Sequence, residues 1–90
     1  MGTFHQDKGE LHGISVLVTT TGPETWIGRC DTMLGDHVVL LGADRHHADE
    51  DQLSAEEWLR RAAQVGFHPR HDRVVVPKTL VEDVRPLAEV

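Results

Sequence analysis

Seven histidines in ninety residues are the first groups in this chain that could do chemistry. The densest run, Asp44-Arg45-His46-His47-Ala48-Asp49-Glu50-Asp51, gathers nitrogen and oxygen donors of the kind that zinc accepts. His46, His47 and Asp49 are the candidate metal ligands. A structural zinc site needs four converging groups, and neighbouring residues of an extended chain point apart, so the competing reading is a solvated polar loop. His68-Pro69-Arg70-His71 reads as a turn leading into a strand. Protonating all seven histidines would move the formal charge from −6 to +1, which would make association depend on pH.

Nucleophilic and nucleotide chemistry find little support. The chain has no Gly-x-Ser-x-Gly, no P-loop, no dinucleotide-binding glycine fingerprint and no His-Glu-x-x-His. Its single cysteine, Cys30, excludes an internal disulfide and any Cys-x-x-Cys site. Cys30 also shares the strand phase of Trp26 and Gly28, which makes it a small core residue rather than a nucleophile. A domain this small has little room for a substrate pocket unless subunits build one together. The expectation is a protein that is not an enzyme and needs no cofactor.

Any such groups must be positioned by one small domain, since ninety residues are too few to divide usefully between two domains. The balance of 39% hydrophobic and 27% charged residues is that of a folded chain. The longest apolar runs, Val38–Leu41 and Val74–Val76, are too short to cross a bilayer, and residues 1–10 lack the apolar centre of a signal peptide. A cytoplasmic location without membrane contact is the default expectation. The charge of −6 counts against a generic nucleic-acid binder. It is also uneven: residues 31–57 hold eight acids and one base, Arg45, whereas residues 58–90 hold six bases and four acids. That polarity suits either a solvated acidic loop or a head-to-tail contact between subunits.

Residues 1–12 show no periodicity and are expected to form a flexible arm, with the folded domain at 13–90. From Gly13, the alternation of Ile14, Val16 and Val18 with Ser15, Leu17 and Thr19 predicts a first strand. After Gly22-Pro23, residues 25–30 predict a second, and the run from His37 to Gly42 a third. The polar stretch from Ala43 to Gln52 is expected to be a loop. A helix at about 54–66 follows, with a Ser54–Glu57 capping box and a Leu53–Trp58 hydrophobic staple. Its apolar stripe is Trp58, Leu59, Ala62 and Val65, its i,i+4 ion pairs are Glu56–Arg60 and Glu57–Arg61, and Gly66 stops it. Arg73–Val76 predicts a fourth strand, ended by Pro77, and Leu80–Leu87 a fifth. Five short strands bent at glycines predict a mainly β fold, a small five-stranded SH3-type barrel with its one helix inserted between strands three and four.

The stretch Gly13-Ile-Ser-Val-Leu-Val-Thr-Thr-Thr-Gly22, followed by Trp26-Ile-Gly28, resembles the first motif of the Sm-like family. Val74-Val-Val-Pro-Lys-Thr-Leu-Val-Glu-Asp-Val84 is similar to the second. The resemblance implies a homo-oligomeric ring that pairs strand four of one subunit with strand five of the next, with Val74, Val75, Val76 and Val81 at the interface. It implies a non-catalytic binding or assembly module, whose partners are further copies of itself and a protein of unknown identity. It also implies, as an alternative, RNA binding around Asp36, His37, Lys78 and Thr79. The chain departs from the family pattern in three places. Residues 1–12 lack the amphipathic pattern of the usual N-terminal helix. The loop 31–37 contains no Asn, and Pro77-Lys78-Thr79 stands where the family has Arg-Gly.

Overall fold

The computed structural model describes residues 12–33 and 35–89; the arm expected at 1–12 lies outside them except for His12. The chain runs β1 (Ser15–Thr20), β2 (Glu24–Thr32), β3 (His37–His47), α1 (Ala55–Val65), β4 (His71–Pro77) and β5 (Val81–Pro86). All five strands belong to one open antiparallel sheet in the order β4-β3-β2-β1-β5. The mainly β architecture and the single helix between the third and fourth strands match the sequence expectation. β4 and β5 lie at opposite edges of the sheet, and a single-turn 3-10 helix, Lys78–Leu80, links them. Among the described residues no helix is long and apolar enough to cross a membrane.

The alternation in β1 is what gives the sheet two buried faces. Val16 and Val18 enter one core with Cys30, Met33, Val38, Leu40, Ala43, Val76, Val81 and Val84. Leu17 enters the other with Ile27, Ala62 of α1 and Leu87, backed by half-buried Trp58, Leu59 and Phe67. A strand covered on both faces needs apolar residues at consecutive positions, and Val16-Leu17-Val18 supplies them. Val65, placed on the apolar stripe by its spacing, is instead 84% exposed at the end of the helix.

The helix begins and ends where its caps dictate. Ser54 Oγ accepts the Glu57 N–H at 3.1 Å, and Gly66, at φ +92°, donates its N–H to the Ala62 carbonyl. Glu57 rather than Glu56 holds Arg60, and it also reaches Arg61 at 3.4 Å.

The structure corrects the sequence reading chiefly at the end of β3. The expected loop from Ala43 is still strand as far as His47, paired with β2 through Ile27↔Asp44, Thr25↔His46 and Glu24↔His47. The register shifts between Ile27 and Arg29, so that Gly42 and Ala43 together oppose Gly28. This is a β-bulge, and Gly42 takes the left-handed φ of +60° that it requires. One extra residue reverses the phase of everything after it. Leu40 and Ala43 both face the first core, and Asp44 and His46 are thereby turned toward α1.

Candidate functional site

The phase reversal at Gly42 delivers two polar side chains into a buried position. Asp44 is 6% exposed and His46 is 2% exposed. With Trp58 from α1, Leu53 from the segment before it, and Arg70 from the connection to β4, they line a cavity of about 530 Å³. Asp44 Oδ1 accepts the Arg70 Nε–H at 2.7 Å and the Arg45 backbone N–H at 2.9 Å. Arg70 also donates from Nη2 to the Arg45 carbonyl at 3.1 Å, so its guanidinium is held on two sides.

The His46 ring lies 5.5 Å from the Trp58 ring, centroid to centroid, tilted by 42°. Its Nε2 stands 2.6 Å from the Leu53 carbonyl. A carbonyl can only accept, so Nε2 carries the proton, and in the neutral ring Nδ1 is an acceptor. That Nδ1 is buried without a hydrogen-bond partner. The staple residues read from the sequence, Leu53 and Trp58, therefore do more than set the helix angle, since they enclose this imidazole.

The turn after β3 is tied by its own acids. Asp51 Oδ2 accepts the His47 N–H at 2.7 Å, and His47 Nδ1 accepts the Asp49 N–H at 3.2 Å. Arg45 bridges Glu24 at 3.3 Å and Glu50 at 3.2 Å. The His47 N–H first, then the nearby His46, Arg70 and Arg45, hold the Asp51 carboxyl below the ordinary carboxylate value.

His46, His47 and Asp49 are not brought together. His46 and His47 pair with adjacent β2 residues and so project from opposite faces of β3, and each ring is engaged locally. Among the described residues no group of three or more His, Cys, Asp or Glu side chains converges to hold a metal ion. The polar run at 44–51 is partly strand and partly turn, and its one buried histidine is packed against a tryptophan.

The second set does assemble. His37 opposes Pro77 across β3 and β4, and the Lys78 N–H donates to the Asp36 carbonyl at 2.8 Å. Asp36, His37 and Lys78 thus share one corner of the sheet, and Thr79 lies exposed beside it. Of the four valines expected at an interface, Val76 and Val81 are buried in the first core and Val74 packs against it. Only Val75, 42% exposed, is open to an outside contact.

Cys30 is buried, and that burial, followed by the neighbouring Asp31, pushes its thiol pKa up. A protonated, enclosed thiol is a poor nucleophile. The chain matches no protein-family model and no curated protein.

Proposed function

We propose that this protein is a non-catalytic assembly module of Sm-like type, which joins copies of itself by pairing β4 of one subunit with β5 of the next. The observation that carries this reading is the strand order, which leaves β4 and β5 as the two edges of an open sheet. An edge strand directs half of its backbone N–H and C=O groups away from its neighbour, toward any strand that can pair with them. Both edges carry charges of both signs, Asp72 and Arg73 on β4 and Glu82, Asp83 and Arg85 on β5. Because Val74 and Val76 face the subunit's own core, such a contact acts through the backbone and through Val75.

The native mass spectrum of the untagged protein tests this. The expected result is a mass at a whole multiple of 10.1 kDa that falls to the monomer in Val75→Asp. Val75 is exposed enough to take a charge without unfolding its own subunit, so the variant should keep the wild-type circular dichroism. A monomeric wild type, or an oligomer untouched by the variant, would overturn the reading.

The corner built from Asp36, His37, Lys78 and Thr79 supports a second reading, single-stranded RNA binding. It rests on the bond between Lys78 and Asp36, which joins the two turns. That reading expects affinity to fall with salt, and expects Lys78→Ala to lower the salt slope by about one. Fluorescence anisotropy with a short oligouridylate checks it, and an unchanged slope in the variant sets RNA aside.

A further inference from the structure

The face of the sheet that carries α1 is only partly covered. α1 and Leu87 close over Leu17 and Ile27. Two residues along β2 from Ile27, the register sets Ser15, Arg29, Leu41 and Arg73 side by side across β1, β2, β3 and β4. A groove of about 290 Å³ lies there. It is lined by Ser15, Arg29, Leu41 and Gly42 of the sheet, and by Phe67 and Pro69 of the connection after α1.

Five of the seven arginines hold acids of their own fold. Arg45 holds Glu24 and Glu50, Arg60 and Arg61 hold Glu57, Arg70 holds Asp44, and Arg85 holds Asp83. The other two are Arg29 and Arg73, both exposed. Their guanidinium groups enter no ion pair or hydrogen bond among the described residues, and the acids nearest in sequence, Asp31 and Asp72, pair with neither. These two cations flank Leu41 in one row, about 10 Å apart at the spacing of neighbouring strands.

A guanidinium recognises carboxylate and phosphate alike, so the space between the two arginines decides the class of ligand. That space is small for a free ligand and suits one aliphatic side chain. Its one aromatic, Phe67, is half-buried against the second core and leaves no open face on which a base could stack. The net charge of −6 also repels a polyanion. We infer that this groove docks an acidic peptide of a partner protein, with an aliphatic side chain between Leu41 and Phe67 and a carboxylate on each of Arg29 and Arg73. The contact needs one subunit only, so it stands whether or not the strand edges pair.

NMR titration of the full chain with acetyl-Glu-Ser-Leu-Ser-Glu-amide tests the site. In an extended chain the two glutamates and the leucine of that peptide share one side. The expected result is a saturable one-to-one shift of the Leu41, Phe67 and Arg29 Nε resonances, with a Kd of about 1 mM. Arg29→Gln and Arg73→Gln should each raise the Kd about three- to fivefold, the worth of one exposed charge pair. The double variant should raise it about tenfold or more. Both side chains are exposed and unpaired, so the variants should keep the wild-type spectrum. Arg60→Gln, on α1, should leave the Kd unchanged. No saturable shift up to about 10 mM peptide, the same Kd with glutamine in place of both glutamates, or the same Kd in the double arginine variant would each overturn the assignment. Tighter binding of pentauridylate at the same resonances would overturn it in favour of a nucleic acid.

Discussion

Gly28→Val should lower the stability of this domain by about 2–3 kcal/mol, the upper part of the range for an overpacked core, and its melting temperature by about 10–20 °C. A Cβ at position 28 would lie 2.9 Å from the Ala43 Cβ, and 3.1 Å from both the Ala43 Cα and the Leu40 Cβ. None of those atoms is the free end of a flexible side chain. Ala43 is held by the bulge at Gly42, and Leu40 is fully buried, so the sheet itself would have to open. Gly28→Ala should cost less than Gly28→Val, and Gly28→Ala combined with Ala43→Gly should recover part of that loss. Thermal melts followed by circular dichroism check the series. A Gly28→Val protein that melts with the wild type would mean that β2 and β3 do not approach so closely.

Ile27→Ala should be at least as damaging, at about 3–4 kcal/mol. Ile27 is fully buried, and it is the β2 residue that meets Leu17, Ala62 and Leu87 beneath the helix. Truncation there adds a cavity cost to the lost transfer free energy, because β1 and β2 are fixed in the sheet and cannot close the gap. The loss is local as well as global. An eleven-residue helix is too short to persist without its apolar face packed, so the α1 amides should lose hydrogen-exchange protection before those of β2. Val65→Ala, at an exposed position on the same helix, should stay within about 0.5 kcal/mol of wild type. Equal losses in the two variants would show that the helix does not rest on Ile27.

The helix was the element most fully legible in the sequence, because its signals are local: Ser54 and Gly66 cap it, and its apolar stripe packs on the sheet, except for exposed Val65 at the C-terminal end. The first strands were legible for a similar reason, since alternation along a strand is a property of the strand itself. The buried position of His46 was not legible. Its neighbours are polar, and only two non-local facts bury it, the two-against-one pairing of Gly42 and Ala43 with Gly28 and the return of α1 over the end of β3. Gly42 after an apolar run reads equally well as the end of a strand or as a bulge. Trp58 was the available hint, because a tryptophan on a short helix needs a broad surface to cover, and a bare polar loop provides none. The meeting of Asp36 with Lys78 was better marked, because the turn before β3 and the turn after β4 must meet once those strands pair. How far the edges of the sheet close on each other was not written in any local pattern.

The pairing of β1 with β5 also sets a timetable for the growing chain. β1 reaches its partner β2 across a short turn, but its other neighbour is made last, after β3, α1 and β4. At the usual pace of synthesis, Val16, Leu17 and Val18 wait roughly 3–13 s for β5 to follow. Throughout that interval the most apolar strand of the molecule is an open edge on a nascent polypeptide. Any factor that guards this protein as it is made must therefore hold the first strand until the last has emerged.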